Sequence, residues 1–270
     1  MNKNNLIEIS NELRKDIIDT IYYAGSGHPG GSLSVIDIVT YLYFEKMNID
    51  AKNPNMENRD RFILSKGHAA PAQYVALAKK GFFDKSELKN LRQLGSILQG
   101  HPDKKKCPGV EISTGSLGQG FSNACGIALG NKMDNRDSKV YVILGDGEIQ
   151  EGIVWEAAMS ASQFKLDNLV AIIDKNGIQL DGRTEDIMDL KRLKDRWESF
   201  GWNVVECNGN DFDEIDEAFT TLENKKGKPA LIIANTIKGK GVSFMEDNPA
   251  WHGAAPNDEE RKIALEELSR

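Results

Sequence analysis

The chain has 270 residues, of which 40% are hydrophobic, and a formal net charge of −7. This length and composition suffice for one large hydrophobic core, and the acidic balance offers no basic excess for binding nucleic acid. The three cysteines form no CxxC pair, the amino terminus lacks a secretory signal and no apolar run could span a membrane, so we expect a protein of the reducing cytoplasm.

Strands and helices are predicted to alternate along the chain. Apolar residues from Leu6 to Ile21 recur at helical spacing, and a second helix is predicted from Val35 to Met47 with Ser34 as its N-cap. Short β-rich stretches predict strands at Phe62–Leu64, Val140–Leu144, Leu169–Ile173, Asn203–Cys207 and Ala230–Asn235. This alternation predicts an α/β fold, a doubly wound and mainly parallel sheet with helices on both faces.

The segment between the strands at 140 and 169 is long enough for a right-handed crossover helix. Its sheet-packing face is predicted to contain Ile153, Trp155, Ala157, Ala158 and Phe164. In such strand–helix–strand units, ligands gather outside the carboxyl ends of the strands, where the turns GDG at 145–147 and NG at 176–177 fall. The two turns are therefore expected to meet at one edge of the sheet.

These turns carry groups suited to a metal and a diphosphate. Gly145 and Gly147 let the backbone approach a ligand closely, and the helix expected after them would direct free amides and its positive dipole end toward phosphate. The Asp146 carboxylate, the Asn176 amide oxygen and the Ile178 carbonyl form a partial oxygen shell for Mg²⁺, Ca²⁺ or Mn²⁺, but a poor zinc site.

Either sequence, taken alone, is also common in ordinary turns that follow a strand. The joint placement of the two turns favours the metal and diphosphate interpretation. Acidic groups crowd beside them, at Glu148, Glu151 and Glu156.

The stretch GDGEIQEGIVWEA, followed by NGIQLDG, resembles the thiamine diphosphate motif of decarboxylases, 2-oxo acid dehydrogenase E1 subunits and transketolases. Further segments resemble, in order, segments of transketolase: GSGHPGGSLS at 25–34, SKGHAAP at 65–71, QGHP at 99–102, GSLGQG at 115–120 and WHGAAP at 251–256. The resemblance runs from about residue 10 to 256. It implies thiamine diphosphate and Mg²⁺ as cofactors and one diphosphate-binding domain over residues 1–270 with a short charged tail.

All four histidines of the chain, His28, His68, His101 and His252, lie inside these segments. A single histidine is more often structural than catalytic, and no two of these four are spaced like a zinc pair. The resemblance implies that His28 and His101 contact hydroxyls of the sugar donor, while His68 and His252 lie near the diphosphate and the reacting carbons. Neutral imidazoles suit this work because each offers a donor and an acceptor and can move a proton near neutral pH.

Three other segments bear on the site. The GSLGQG loop precedes an apolar helical run, 121–129. Its composition fits equally well the closely packed start of a helix. The resemblance implies that Gly115 and Leu117 contact the aminopyrimidine. The segment TIKGKGV at 236–242 is interpreted as a mobile loop leading to His252. Glu151, by itself a favourable partner for a helix dipole, is implied to lie at the subunit interface as a relay to the neighbour's activating glutamate.

Full-length transketolases carry two further domains, including the one that binds the pyrimidine. The resemblance, together with the end of the sequence at residue 270, predicts the amino-terminal subunit of a split transketolase. This subunit would pair with a carboxyl-terminal subunit in an α2β2 heterotetramer. The pair would transfer a two-carbon ketol unit between sugar phosphates. Two alternatives stay open: another thiamine diphosphate enzyme, of the 2-oxo acid dehydrogenase E1 or deoxyxylulose phosphate synthase type, and a non-catalytic partner subunit.

Overall fold

A computed structural model describes residues 2–180, 182–223 and 225–269. The first helix, α1 (Lys3–Ala24), is capped by the side chain of Asn2 and ends at Gly25, whose left-handed φ of 63° terminates it. The second, α2 (Pro29–Tyr41), continues directly into a π-helical turn, Leu42–Lys46.

The predicted start of α2 is wrong. The helix begins at Pro29, six residues before the expected Val35, because proline is preorganised for the first helical position and needs no hydrogen bond there. His28 occupies the N-cap position. Ser34 lies inside the helix, and its hydroxyl donates to the carboxylate of Asp174 instead of capping.

The other elements follow in chain order. The strands are β1 (Arg61–Leu64), β2 (Val140–Gly145), β3 (Leu169–Lys175), β4 (Ile178–Gln179), β5 (Gly182–Arg183), β6 (Asn203–Asn208) and β7 (Ala230–Asn235). The remaining helices are α3 (Ala70–Lys80), α4 (Gln119–Met133), α5 (Gly152–Gln163), α6 (Thr184–Met188), α7 (Leu193–Ser199), α8 (Phe212–Glu223) and α9 (Asp258–Glu267). Short 3-10 turns lie at Gly67–Ala69, Lys85–Asn90, Glu148–Gln150 and Pro249–Trp251.

The predicted sheet is confirmed. Five strands pair in the order β1-β2-β3-β7-β6, and every pairing among them is parallel. A two-residue antiparallel pair, β4 with β5, lies outside this sheet and was not expected.

Alternate side chains of the sheet enter two separate cores. Phe62 and Ile143 pack with α1, α2, α3 and α8 on one face, while Val142 and Ile173 pack with α4, α5 and the indole of Trp197 on the other. Burying each such apolar side chain stabilises the fold by roughly 1.5–3 kcal/mol, so both faces need a helical cover. Helices therefore cover both faces of the sheet, as predicted.

The crossover helix α5 differs from its prediction in two respects. Ala157 and Ala158 are buried as expected, but Phe164 lies at the end of the helix with 53% of its surface exposed. The helix begins at Gly152, after a 3-10 turn, so its amino terminus does not follow the GDG turn directly. No helix in the described ranges is long and apolar enough to cross a membrane.

Candidate active site at the carboxyl edge of the sheet

The two predicted turns meet through the side chain of Asp146. Gly145 is paired with Asp174 in the β2–β3 register, so both strands end at the same level. One Asp146 carboxylate oxygen accepts from the amide of Gly147 at 2.9 Å, and the other accepts from the amide of Gly177 at 2.6 Å. Asp146 thus joins the GDG turn to the NG turn.

Behind these turns lies a buried charge cluster centred on Asp174. Its carboxylate, completely buried, accepts from the ammonium of Lys66 at 2.5 Å, from Ser34 at 2.6 Å and from Thr236. Its fourth donor is the side-chain amide of Asn176, at 3.1 Å. Burial alone would raise the pKa of Asp174, but the charge of Lys66 and these hydrogen bonds hold it below the usual value.

The cluster orients Asn176, one of the three predicted metal ligands. With its amide nitrogen bound to Asp174, the Asn176 side-chain oxygen accepts from the amide of Ile178 at 3.1 Å and keeps a second lone pair. Asp174 and Lys66 were not among the residues predicted from the sequence. An available signal was the single aspartate at the end of the otherwise apolar strand LVAIIDK.

Asp146 is ready to accept a cation. Burial first, and then the negative charge of Asp174, raise the pKa of Asp146 to about 6. A divalent ion beside the carboxylate would stabilise its ionised form. The side-chain oxygens of Asp146 and Asn176 and the main-chain oxygen of Ile178 provide hard oxygen donors, and all three residues line one cavity, so the donor set fits Mg²⁺ or Ca²⁺.

That cavity has a volume of about 370 Å³. Nine of the twelve residues predicted for the site line it: His68, Leu117, Gly145, Asp146, Gly147, Glu151, Asn176, Ile178 and His252. The other three, His28, His101 and Gly115, lie outside its lining.

Three histidines form a triangle beside the cavity. The ring centroids of His28, His68 and His252 are separated by 5.3, 5.4 and 5.4 Å. Burial and the positive charges around them lower the pKa of His28 to about 4 and that of His68 well below its usual value. Both imidazoles are therefore neutral at pH 7, which gives each one donor and one acceptor.

His101 lies apart from the triangle. Its ring packs against Gly115, where an added Cβ would approach within 3.2 Å of the ring, so the two predicted residues are neighbours. Burial, followed by the charge of Arg92, lowers the pKa of His101, and Arg92 also lowers that of His28. Arg92 is an exposed cation whose charge acts on both histidines, and the sequence motifs did not identify it.

Lys238 is a third cation that the sequence motifs did not identify. It is 2% exposed, and its ammonium lies 3.0 Å from Nδ1 of His252 and 3.3 Å from the carbonyl of Ile178. Lys238 belongs to the segment predicted as a mobile loop, but Val242 and Met245 in and just after this segment are also buried. Its position between the strand and two glycines was the available signal.

Glu148 holds the glycine-rich loop against the GDG turn. This buried carboxylate accepts from the amides of Gly118 and Gly145, at 2.8 and 2.9 Å, and from the hydroxyl of Ser65. Glu151, by contrast, occupies the N-cap position of α5 with its side chain exposed at the rim of the cavity. The two acidic residues therefore differ in role: Glu148 braces this chain, and Glu151 faces outward.

Comparisons with known proteins agree with this geometry. The family model of the transketolase thiamine diphosphate-binding domain matches residues 6–269. One subunit of the apulose-4-phosphate transketolase of Phocaeicola vulgatus is 45% identical over 260 residues, which cover 96% of this chain and 92% of the relative. A 6-deoxy-6-sulfo-D-fructose transketolase subunit of Clostridium sp. is 45% identical over 261 residues, covering 97% and 95%.

Longer transketolases match over part of their length. Transketolase of Homo sapiens is 42% identical over 249 residues, which cover 92% of this chain but 39% of that protein. The crystal structure of transketolase from Campylobacter jejuni superposes with a TM-score of 0.94 at 39% identity, covering 100% of this chain and 43% of that one. The resemblance that the sequence motifs indicated is confirmed, and the chain belongs to the transketolase family, whose thiamine diphosphate-binding domain it matches.

Proposed function

We propose that this chain is the diphosphate-binding subunit of a two-subunit transketolase that transfers a two-carbon ketol unit from a ketose to an aldose. The observation that carries the proposal is the convergence of Asp146, Asn176 and Ile178 on one cavity with His68 and His252. Family membership supports the reaction type. The chemistry that thiamine diphosphate supplies when bound is an electron sink for breaking and making the carbon–carbon bond.

The buried end of the cavity would hold the diphosphate and the metal. Asp146, Asn176 and the carbonyl of Ile178 would bind Mg²⁺, and the glycines at 145 and 147 would let phosphate oxygens approach the backbone. Lys238 would then turn its ammonium from the Ile178 carbonyl toward the diphosphate, since it lines the same cavity. Gly115 and Leu117 would contact the aminopyrimidine.

The histidine end would hold the sugar. His28 and His101 would bind hydroxyls of the donor, and His68 and His252 would lie near the diphosphate and the reacting carbons. Nδ1 of His28 is buried and has no hydrogen-bond partner among the described residues, and an unsatisfied polar atom of this kind supports a ligand at this position. Arg92, an exposed cation beside this end, would attract anionic sugars such as sugar phosphates.

A partner chain would complete the site. The relatives that match nearly full-length are named as transketolase subunits, which supports a partner that carries the pyrimidine-binding domain. The exposure of Glu151 at the cavity rim supports its proposed role as a relay to the activating glutamate of that chain. We propose an α2β2 heterotetramer, with residues 1–270 as one diphosphate-binding domain, located in the cytoplasm.

The proposal is tested by reconstitution with a candidate partner subunit that carries the pyrimidine-binding domain. Ketol transfer between ketose and aldose phosphates should require both subunits, thiamine diphosphate and Mg²⁺. Calorimetry on the mixture should show cofactor binding that Asp146→Ala weakens by roughly 100-fold or more, because a metal ligand is lost. The exposed Asp189→Ala is the matched control and should bind normally.

Three results would contradict the proposal in different ways. Full ketol transfer by this chain alone would exclude the need for a second chain. Release of CO₂ from pyruvate without ketol transfer would assign a different thiamine diphosphate reaction. Undetectable cofactor binding by the mixture, with no effect of Asp146→Ala, would remove the metal assignment and support a non-catalytic partner role.

A further inference from the structure

A second cavity, of about 650 Å³, lies at the opposite edge of the sheet from the candidate active site. Arg61, which lines it, is the first residue of β1 and is paired with Val140, the first residue of β2. The active-site turns follow the other ends of these strands. The second cavity is therefore a separate feature at the amino edge of the sheet.

Positive charge dominates this second cavity. Its lining includes Arg59, Arg61 and the three consecutive lysines 104–106, with Glu111 as the only carboxylate among the lining residues described. Five cations and one anion give these groups a charge of +4, in a chain whose net charge is −7. Like charges gathered in one cavity repel each other, so a bound anion would stabilise the arrangement.

The lysines lie on an anchored segment of the chain. Cys107 and Val110 are 2% and 7% exposed, and the amides of Lys106 and Cys107 both donate to the carbonyl of Asp103. Gly109 has a φ of 86°, and a Cβ there would come within 2.4 Å of Leu77, so only glycine allows this close packing. The three lysines thus extend from a backbone that is held in place beside the arginines.

The cations of the cavity keep unused hydrogen-bonding capacity. Glu111 accepts a short hydrogen bond from Arg59, but its nearest approach to Arg61 is 3.8 Å. The guanidinium of Arg61 otherwise donates only a long bond, 3.5 Å, to the carbonyl of Glu57 among the described residues. Lysines 104–106 are exposed. Among the residues that the structure describes, their ammonium groups form no ion pair.

We propose that this cavity binds a small anion that carries phosphate groups. A guanidinium with free donors can bind two phosphate oxygens at once, and neighbouring ammonium groups supply further charge-assisted bonds. The cavity volume falls within the roughly 300–1,000 Å³ usual for small-molecule sites. This proposal does not rest on the proposed function, because none of the residues that carry it lies in the active-site cavity.

The test is calorimetric titration of the full chain with inorganic tripolyphosphate, without divalent metal. The triple variant Lys104→Gln, Lys105→Gln, Lys106→Gln and the single variant Arg61→Gln should each bind about tenfold more weakly or worse, because charge-assisted bonds are lost. The matched control changes the exposed lysines 225, 226 and 228 to glutamine, which removes the same charge elsewhere. It should bind like the unmodified chain.

Two further titrations locate the ligand and identify its source. Lys238→Gln removes a cation of the active-site cavity and should leave unchanged the part of tripolyphosphate binding that Arg61→Gln weakens. ATP titrated in parallel distinguishes nucleotides from bare phosphates: tighter binding than tripolyphosphate assigns the cavity to nucleotides, and equal binding assigns it to the phosphates alone. Circular dichroism of each variant confirms that it folds.

The proposal would be overturned by any of three results. Undetectable binding by the unmodified chain would exclude the site. Equal weakening by the two triple variants would mean that only overall charge matters. Loss of binding in Lys238→Gln, with no change in the 104–106 variant, would place the anion in the active-site cavity instead.

Discussion

The proposed diphosphate and sugar ends of the candidate site hold their polar groups in different ways. At the diphosphate end, Asp174 and Lys66 are buried and paired at 2.5 Å, and Asp146 has both carboxylate oxygens bonded to backbone amides. At the proposed sugar end, His101 and Arg92 are exposed and His28 is half-buried. The first end is a closed network of hydrogen bonds, and the second is open to solvent at His101 and Arg92.

Because of this difference, substitutions at the two ends should affect different properties of the protein. A buried charge must be matched within the chain, so changes at the diphosphate end should cost folding energy as well as function. Exposed groups at the sugar end are already solvated, so changes there should alter titration and substrate affinity while stability stays nearly constant. Substitutions at the two ends test this division, and the largest effect is expected at Asp174.

Asp174→Asn should lower the free energy of unfolding by about 3–5 kcal/mol, because it leaves the buried ammonium of Lys66 without a counter-charge. Chemical denaturation followed by circular dichroism measures the loss. Asp189→Asn, at an exposed position, is the matched control and should change stability by less than about 0.5 kcal/mol. Equal effects of the two substitutions would show that the buried pair of Asp174 and Lys66 adds no stability.

The stability contribution of Asp146 should depend on pH. Its pKa is raised from 3.8 to about 6, so between these values the unfolded chain releases the proton before the folded chain does. Stability therefore falls as pH rises through this window, by about 3 kcal/mol in total. Asp146→Asn stays neutral, so the unfolding free energy of the unmodified chain should fall relative to that of the variant by about this amount from pH 3 to pH 7.

Millimolar Mg²⁺ should reduce the difference in unfolding free energy between Asp146→Asn and the unmodified chain at pH 7. An ion that binds only the folded, unmodified chain adds to its stability. The same denaturation series with and without Mg²⁺ checks it. A difference that is constant over pH would show that Asp146 titrates normally and that burial does not control it.

His28 of the histidine triangle should resist protonation. Burial and neighbouring positive charges lower the pKa of His28 to about 4, so its ring resonances should titrate near that pH in nuclear magnetic resonance spectra. Protonation of His28 should then cost stability as pH falls from about 6.5, where the unfolded chain gains the proton, to about 4. A His28 midpoint near 6.5 would contradict the buried, neutral imidazole.

Arg92→Gln should have the smallest effect on folding. Unfolding free energy should change by less than about 0.5 kcal/mol, because Arg92 is exposed. Loss of its positive charge should raise the pKa values of His101 and His28, which proton resonance titrations can detect. With the partner chain present, KM for an anionic ketose should rise more than kcat falls. Unchanged pKa values of His101 and His28 would show that Arg92 does not act on these histidines.

Much of the fold was predictable because the strands carry nearly uninterrupted apolar runs. Ala230–Asn235 was predicted to the residue, and β2 and β3 differed only at their carboxyl ends. The start of α2 was not predictable from periodicity, because the helix begins in the polar, glycine-rich segment after His28. The exposure of Phe164 depends on where α5 ends relative to the sheet, which local pattern does not specify.

The candidate site divides in the same manner. Motif spacing alone brought Asp146, Asn176 and Ile178 together, since parallel strands end at a common edge. The partners that orient them came only from the structure. Lys238 reaches the site from a segment about sixty residues away from Ile178 in sequence, and Glu148 braces a loop thirty positions before it.

The amino-acid sequence was enough to predict the fold class, the family resemblance and the residue types of the site, because periodicity and strand-end motifs are local properties. Which of those residues are paired, buried or exposed was visible only in the folded structure. Burial and charge depend on segments that are distant in sequence, as Ser34, Lys66 and Thr236 converge on Asp174. The pKa of Asp146 and the basic cavity at the amino edge likewise depend on contacts between distant segments, which local sequence patterns do not encode.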